Sequence, residues 1–331
     1  MTETRPPTSH DVARAAGVSQ ATVSYALTGK GAISQATRDR VLQAAETIGY
    51  RPNLAARSMR TRRSGRLALV TGVGADNHMR MLGGAGEAAA EAGYAMETHC
   101  LEGTAEDRTA RLLELAAGRQ FEGILAFIPV VAEALATASD STPVVTATAF
   151  DDQMHSVGDL ADASLIDDFI TALAAAGYRR FVHLAGSDKW ASARSRRAVY
   201  LAAVERLGVE SLGVLGGDWP AETGRRAVLS LPEGTPPLAV IAANDILAAG
   251  VLRGAAERGW SVPGDLVVTG WDNYEFGGYT TPSLTTVDLD FREAGRRAMR
   301  LLTAALRGEP APDPTGSLQR IVWRESTGAA A

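Results

Sequence analysis

DVARAAGVSQATVSYAL, residues 11–27, contains two short helical patterns on either side of the turn at 17–19. Thr8 or Ser9 can cap a first helix, and the serine of the turn can cap a second helix over residues 20–27. Two short helices joined by three residues that include a glycine form a helix-turn-helix unit. The stretch therefore predicts such a unit at the N-terminal end of the chain.

The start of the second helix predicts a surface that reads DNA. The apolar side chains that can pack the two helices together are Val12, Ala13, Ala16, Val18, Val23 and Leu27. This packing leaves an outward face made of Gln20, Ala21, Ser24 and Tyr25, which in a helix-turn-helix would meet base edges in a major groove. Phosphate contact or simple helix capping is predicted for Ser9, Ser19 and Thr22. An ordinary helical hairpin is the alternative.

Charge is distributed unevenly along the chain. Residues 1–66 hold 11 Lys or Arg and 4 Asp or Glu, a net charge of +7, although the whole chain has a net charge of -5. The remaining 265 residues therefore have a net charge of -12. A small basic head on an acidic body is typical of a DNA-binding module joined to a regulatory domain.

A third helix and a linker follow the helix-turn-helix pattern. Ser34 can cap this helix, Gly49 lies just past its end, and its predicted apolar face consists of Val41, Leu42, Ala45 and Ile48. The run 54–60 is too short to be stable as an isolated helix in water, and residues 61–65 form a natural linker.

From residue 67 onward, short apolar runs alternate with helical patterns. The predicted strands are 67–70, 95–98, 124–127, 144–146, 181–184, 212–215, 239–242 and 266–270. Helices such as 79–92 and 166–176 are predicted between them. This alternation predicts parallel, doubly wound sheets, and the length favours two lobes over one sheet. The predicted fold class is α/β, with a helix-turn-helix headpiece and a two-lobed, doubly wound core.

Composition and missing motifs exclude several classes of protein. The chain is 46% hydrophobic but has no run of about 18 uncharged apolar residues, and its first 17 residues lack the apolar segment of a secretory signal. Cys100 is the single cysteine, which excludes a disulfide framework and a cysteine metal site. Phosphate-loop, nucleophile-elbow and zinc-protease motifs are absent from the sequence. We therefore expect a cytoplasmic protein that is not an enzyme, has no cofactor or metal and does not bind a membrane.

Short motifs continue the headpiece pattern beyond residue 27. They are Ser34-x-x-Thr37-Arg38 and Gly49-Tyr50-Arg51-Pro52-Asn53. With residues 11–27 they closely resemble the headpiece of the lactose-repressor (LacI/GalR) family of bacterial transcription regulators. The resemblance implies a hinge helix after Pro52 that folds only on operator DNA, pairs with its twin in the minor groove and inserts a leucine into the central base step. Met59 stands at the leucine position, where a Met wedge is chemically feasible. The DNA-binding residues implied in this segment are Asn53, Ala56, Arg57, Met59 and Arg60.

Motifs of the body extend the resemblance almost to the C-terminus. They are Gly186–Arg196, Gly217–Trp219, Asn244–Gly250, Gly270–Asn273 with Thr281–Thr286, and Arg324–Thr327. The resemblance implies that an effector binds at Trp190, Ser192, Arg196, Trp219, Asn244 and Asp272. Such side chains follow strands and would converge at the carboxyl edge of a parallel sheet, where ligands bind. Each alone has another explanation: Trp219 and Trp271 as core residues, Arg196 in a surface ion pair, and Asn244 and Asp245 as a helix cap. Their joint occurrence favours a polar-ligand pocket.

One segment departs from the family pattern. Residues 71–80 read TGVGADNHMR, which is shorter than in many members and has no aromatic residue. The sequence leaves open whether Asp76, Asn77 or His78 lines the pocket or belongs to a solvated loop.

The combined reading is a ligand-responsive repressor that binds a palindromic operator as a homodimer. Residues 1–50 would form the headpiece, 51–63 the hinge and 64–331 the core. Within the core, the N-lobe would comprise about 64–157 and 289–314, and the C-lobe about 158–288 and 315–331. The expected partners are double-stranded operator DNA and a small polar effector, with a sugar preferred and a nucleoside second. The alternatives from other classes are a transporter's solute-binding protein and a doubly wound enzyme.

Overall fold

The structure, a computed structural model, describes residues 7–28, 32–50, 63–72, 76–136, 142–147, 150–151, 155–313 and 316–328. The chain divides into two compact units, Met1–Gly65 and Arg66–Ala331. We call the first unit the headpiece and the second the core.

Three helices make up the described part of the headpiece. They are α1 (Ser9–Ala16), α2 (Gln20–Thr28) and α3 (Gln35–Thr47). Gly17 has a φ of 63°, a left-handed conformation that favours glycine, and it turns the chain between α1 and α2. The predicted helix-turn-helix is therefore present.

Side chains at the starts of α1 and α2 accept hydrogen bonds from backbone N–H groups. The N–H and the hydroxyl of Thr8 both donate to the Asp11 carboxylate, at 2.9 and 2.6 Å. Thr8 is therefore the cap of α1, and Ser9 is its first residue. Ser19 Oγ accepts the N–H of Thr22 at 3.1 Å and in this way caps α2.

The headpiece has one small apolar core. It consists of Val12, Ala13, Ala16, Val23, Ala26, Val41 and Ala45. Val18 and Leu27 are partly buried against it, as the sequence pattern predicted. Leu42 is 46% exposed, so the prediction that it shares the apolar face of α3 was wrong. It follows Val41 directly, and one residue turns a helix by about 100°, which carries Leu42 off the buried face.

The described residues of the core form two parallel sheets and an antiparallel ribbon. The strands are β1 (Arg66–Thr71), β2 (Ala95–Cys100), β3 (Gly123–Ala126), β4 (Val144–Thr146), β5 (Arg180–Ala185), β6 (Glu210–Gly216), β7 (Leu238–Ala242), β8 (Leu266–Thr269), β9 (Thr286–Leu289) and β10 (Gln319–Val322). The sheet of the N-lobe has the order β2-β1-β3-β4, and that of the C-lobe has the order β6-β5-β7-β8. β9 and β10 pair antiparallel.

Helices connect and cover the strands. They are α4 (Asp76–Glu91), α5 (Ala105–Ala117), α6 (Ala132–Ala136), α7 (Leu165–Ala175), α8 (Ala191–Leu207), α9 (Ala221–Ser230), α10 (Asp245–Glu257) and α11 (Phe291–Arg307), with short 3-10 helices at Gly158–Ala161, Glu275–Gly278 and Glu325–Thr327. Residues 67–70 of β1 and 238–242 of β7 are buried throughout, because the parallel sheets are covered on both faces. None of the helices in the described ranges is long and apolar enough to cross a membrane.

The long helix α11 returns to the N-lobe after the four strands of the C-lobe sheet. It packs along α4, and a Cβ atom at Gly84 of α4 or at Gly295 of α11 would collide with the backbone of the facing helix. α11 also covers β3, where a Cβ atom at Gly123 would lie 2.8 Å from Leu302 Cδ1. Glycine therefore sets the close approach of α11 to the rest of the N-lobe.

The predicted fold class is confirmed. Each of the eight apolar runs forms a strand whose ends lie within two residues of the predicted ones. The helix predicted over 79–92 begins three residues earlier, at Asp76, so this part of the departing segment is helical and not a solvated loop. β9 and β10 were not predicted, because two of the four residues in each strand are polar and hide the apolar pattern.

Candidate functional site

The outward face predicted for the second helix is present at the start of α2. Gln20 and Ala21 are exposed, Ser24 is half-buried and Tyr25 is 46% exposed. Gln20 Nε2 donates to Ser9 Oγ at 3.1 Å, which ties the first side chain of α2 to the first residue of α1. Ser9, which is predicted to contact a phosphate, therefore lies beside Gln20, which is predicted to contact a base.

Two exposed hydroxyl groups lie at the same end of α2. Ser19 Oγ and Thr22 Oγ1 are 2.9 Å apart. Both side chains therefore serve the helix cap and also present oxygen atoms to solvent, so the capping role found here leaves a phosphate contact available.

Residues 51–62 of the predicted hinge lie outside the described residues. This applies to Asn53, Ala56, Arg57, Met59 and Arg60. Their contacts with DNA, and the Met59 wedge, stay predictions.

Arg196 forms the centre of a polar cluster in the C-lobe. It lies on α8, is 5% exposed, and its Nη1 donates to the carbonyl of Ala243 at 2.6 Å. Its guanidinium lies over the ring of Trp271, 4.5 Å from the centroid. Burial lowers the pKa of Arg196, and the nearby carboxylates of Asp272 and Asp245 raise it. A guanidinium stays charged in a protein, so the cluster holds a fixed positive charge.

Asp272 supplies the negative charge that faces Arg196. It follows Trp271 at the end of β8 and has a φ of 101°. Burial raises the pKa of Asp272 to about 6, against the opposing effect of Arg196 and then Arg80. The side chain is half-buried, and its carboxylate accepts no hydrogen bond from the residues that the structure describes. A strained backbone and an unpaired carboxylate next to a buried cation are typical of a ligand site.

Asn244 and Asp245 support the cluster from the start of α10. Asn244 Oδ1 accepts the N–H of Leu247 at 2.8 Å and caps the helix, so the group that remains for a ligand is its Nδ2 donor. Asp245 is fully buried, and its oxygens accept the hydroxyl of Thr286 at 2.5 Å and the N–H of Tyr274 at 2.7 Å. Burial raises its pKa to about 7. Asp245 therefore fixes the loop that carries Asp272.

Two indole rings meet near the start of α8, the helix that carries Arg196. Trp219 is half-buried against Gly186, where a Cβ atom would collide with the ring. Trp190 immediately precedes α8 and meets Trp219 edge to face, with ring centroids 5.2 Å apart. Ser192 is buried in the first turn of α8, one turn before Arg196. The start of α8 therefore joins the aromatic pair to the polar cluster.

His78 is buried in the N-lobe, in the segment for which the sequence left open a pocket lining or a solvated loop. His78 is 5% exposed, its Nε2 is hydrogen-bonded to Thr71 Oγ1, and its ring meets Phe150 edge to face at 5.5 Å. Burial lowers the pKa of His78. It is a structural residue of the lobe. The side chains of Asp76 and Asn77 lie outside the described part.

Two residues of this region were missed by sequence reasoning. Asp245 was treated as a helix cap, although its carboxylate holds the loop of Asp272. His155 was given no role, yet its ring stacks on Trp190 with centroids 3.9 Å apart. The adjacent polar pair Asn244-Asp245 could have drawn attention to Asp245, whereas nothing near His155 in the sequence indicates its contact.

Two cavities lie away from these residues. One of about 540 Å³ lies between α11, the 3-10 helix at Gly158–Ala161 and residues 311–313. Another of about 570 Å³ lies between the end of β6 and α9. None of the six predicted effector residues is among the described residues that line them.

Both the headpiece and the core match families of known proteins. Residues 8–53 match the lacI family of bacterial regulatory proteins, and residues 170–327 match a periplasmic binding protein-like domain. The HTH-type transcriptional repressor CytR of Escherichia coli K12 is 30% identical over 313 residues, which cover 91% of this chain and 90% of that protein. The chain belongs to the lacI family. The predicted family and the prediction of a DNA-binding transcriptional regulator are thereby confirmed.

Solved structures of lacI-type proteins share the fold. The Lac repressor dimer bound to operator and the anti-inducer ONPF matches with a TM-score of 0.69 and 24% identity, over 98% of this chain and 99% of that one. The complex of the transcriptional regulator CelR with cellobiose matches with a TM-score of 0.57 and 25% identity, over 97% and 99%. These similar proteins are transcriptional regulators, which disfavours the enzyme and transporter alternatives.

Proposed function

We propose that this lacI-family protein is a cytoplasmic repressor that binds a palindromic operator as a homodimer and releases it when a small polyhydroxylated effector enters the core. The observation that carries the proposal is the pair formed by the buried Arg196 and the half-buried, unpaired carboxylate of Asp272. Buried polar groups almost always have hydrogen-bond partners. A ligand rich in hydroxyl groups would provide them here.

The chemistry of the cluster favours a sugar. Arg196 offers fixed donors, Asp272 accepts from paired hydroxyls, and Asn244 retains its Nδ2 donor. The indole of Trp219 can cover the apolar C–H face of a pyranose ring. The structure of CelR, a similar protein, contains cellobiose, which supports the same class of ligand.

A nucleoside is the second candidate effector. The observation in its favour is that two indoles, Trp190 and Trp219, lie side by side, since a flat base stacks on an aromatic face. Its ribose hydroxyls would then meet the same polar cluster.

The headpiece would read the operator with the face of α2. Gln20, Ala21, Ser24 and Tyr25 would contact base edges, and Ser9, Ser19 and Thr22 would contact phosphates. The proposed division is residues 1–50 for the headpiece, 51–63 for the hinge and 64–331 for the core, with the lobes bounded as the sequence predicts. The hinge would add minor-groove contacts through Asn53, Ala56, Arg57, Met59 and Arg60.

A homodimer follows from the size of the headpiece. A three-helix unit buries little surface on DNA, and it gains specificity when two copies read the half-sites of a palindrome. Effector binding between the lobes would change their angle and move the paired hinges, so that the effector and the operator oppose each other's binding.

The proposal is tested by ligand screening followed by operator release. Thermal shifts are measured with D-glucose, D-cellobiose, D-ribose, cytidine and adenosine, since a ligand at 100 times its dissociation constant adds about 2.7 kcal/mol of stability. Compounds that stabilise the protein are then titrated into its complex with labelled DNA from upstream of its own gene, and release is followed by fluorescence anisotropy.

Two arginine variants of α8 make the test specific. Arg196→Ala should weaken release at least about tenfold, because it leaves buried partners unpaired at about 1–3 kcal/mol each. Arg206→Ala is the matched control, since Arg206 lies on the same helix as Arg196, is exposed and pairs with Asp167 of α7 at 2.7 Å. Normal release from Arg196→Ala would place the effector elsewhere, and failure of the wild type to bind its upstream DNA would refute the repressor role.

A further inference from the structure

A series of ring contacts runs between the two lobes and ends at Trp190 and Trp219, two of the predicted effector residues. On the N-lobe side, His78 on α4 meets Phe150 edge to face, with centroids 5.5 Å apart. Phe150 and Ser156 pair through an antiparallel backbone bridge, just before the chain enters the C-lobe. On the C-lobe side, His155 stacks on Trp190 at 3.9 Å with an interplanar angle of 27°. The contacts between α4 and the start of α8 are therefore continuous.

His155 is held firmly within this series. Its backbone N–H donates to Asp151 Oδ1 at 2.9 Å, and its ring Nδ1 lies 3.1 Å from Asp151 Oδ2. Because a carboxylate only accepts, the ring nitrogen facing it carries the hydrogen. The side chain is buried, so rotation of the imidazole would break a bond and open a gap.

Trp190 packs against both His155 and Trp219. The indole is half-buried at the start of α8, with His155 against one face and the edge contact to Trp219 beside it. Trp219 is in turn fixed by its contact with Gly186. Trp190 therefore connects His155 to Trp219, the ring proposed to cover the effector.

We propose that His155 is a positioning residue for the effector response. It fixes the ring of Trp190 next to the proposed effector site and links that ring, through Phe150 and His78, to the N-lobe. An effector that moves Trp190 then moves a group that both lobes contact, as coupling between sites requires. This role rests on the proposed function, because it needs an effector at the Arg196 cluster.

The physical link is tested first without any effector. The full-length protein is labelled with 5-fluorotryptophan, and the Trp190 resonance is assigned in its ¹⁹F NMR spectrum with Trp190→Phe. Phe150→Leu, which removes the ring on the N-lobe side but stays apolar, should shift or broaden this resonance, as should His155→Ala. His155→Phe restores a stacking ring and should return the resonance toward that of the wild type.

His99→Ala is the matched control for the spectra. His99 also makes an edge contact, with Phe121 at 5.4 Å, but it lies on β2 outside the series. It should leave the Trp190 resonance unchanged. The link is refuted if Phe150→Leu or His155→Ala leaves the resonance unchanged, or if His99→Ala alters it as strongly.

The functional role is tested by release of operator DNA with D-glucose, D-cellobiose, D-ribose, cytidine and adenosine. His155→Ala should bind operator like the wild type without these compounds and should need roughly 3- to 10-fold more of the active compound for release, the effect of one lost ring pair. His155→Phe should recover most of the response. If Arg196→Ala loses the response and His155→Ala keeps it, the positioning role is wrong and the proposed function stands. If no compound acts on the wild type, both fall.

Discussion

Asp272→Asn separates ligand binding from folding at the candidate effector site. The change keeps the size of the side chain and one acceptor oxygen but removes the charge beside Arg196. A hydrogen bond to a charged group contributes about 1.5–3 kcal/mol and one to a neutral group about 0.5–1.5 kcal/mol. The difference predicts effector binding that is about 5- to 10-fold weaker. It is measured as the concentration of active compound that releases half of the labelled operator.

The same substitution should leave the fold as stable or more stable at neutral pH. Burial raises the pKa of Asp272 to about 6 from its ordinary value of 3.8. Ionisation therefore opposes folding: the cost is absent below pH 4, grows between pH 4 and 6, and reaches at most about 3 kcal/mol above that range. Asp272→Asn lacks this cost, so its gain in stability relative to the wild type should appear at pH 7.5 and disappear at pH 4. Urea unfolding at the two pH values measures it.

Asp167→Asn is the control, because Asp167 is an exposed carboxylate paired with Arg206 at the surface of the C-lobe. It should change neither release nor the pH dependence of unfolding by a measurable amount. A loss of more than about 1 kcal/mol at pH 7.5 in Asp272→Asn would show that the carboxylate stabilises the fold and would refute the reasoning. So would an unchanged response to the compound.

Three further predictions concern other parts of the chain. Gly84→Ala should lower the melting temperature, because overpacking of α4 against α11 costs about 1–3 kcal/mol. A Cβ atom at Gly83 on the same helix would meet nothing within 4 Å, so Gly83→Ala should raise the melting temperature slightly. Equal melting temperatures of the two variants would refute the close contact. Ser9→Ala removes the acceptor of the Gln20 hydrogen bond and should weaken operator binding about 2- to 5-fold with little change in melting temperature. Unchanged binding would show that this hydrogen bond has no role in operator binding. Tyr25→Arg should change the preferred base in each half-site in a selection from random DNA, since a mismatched pair costs about 1–3 kcal/mol, and an identical consensus would contradict the reading face.

Much of the fold was predictable because its signals are local. Parallel strands buried on both faces are continuous apolar runs, so each run in the sequence marked a strand. The starts of helices could also be predicted from the sequence, as the caps formed by Thr8 and Ser34 show. The ribbon of β9 and β10 was not predictable, because pairing between residues 286–289 and 319–322 is set by the route of the chain and not by a local pattern.

The candidate site was predictable only in its parts. Arg196, Asn244 and Asp272 were named from motifs that resemble those of a known family, and the structure brings Arg196 and Asp272 together. The capping role of Asn244 Oδ1 was weighed as an alternative, and the structure shows it. The contact of His155 with Trp190 could not be foreseen, because it joins two segments far apart in the sequence.

Because α11 comes late in the chain, it also affects the order in which parts of the core fold during synthesis. The sheet of the N-lobe is complete in sequence at Thr146, but the helix that covers β3 spans 291–307. At about 5–20 residues per second, the ribosome takes roughly 7 to 30 seconds to make the chain between them. The C-lobe strands β5 to β8 emerge in that interval as one uninterrupted stretch. We therefore expect the C-lobe sheet, the later of the two to begin, to form on the ribosome before the N-lobe sheet receives its last helix. The N-lobe waits in that interval with one apolar face open to chaperones.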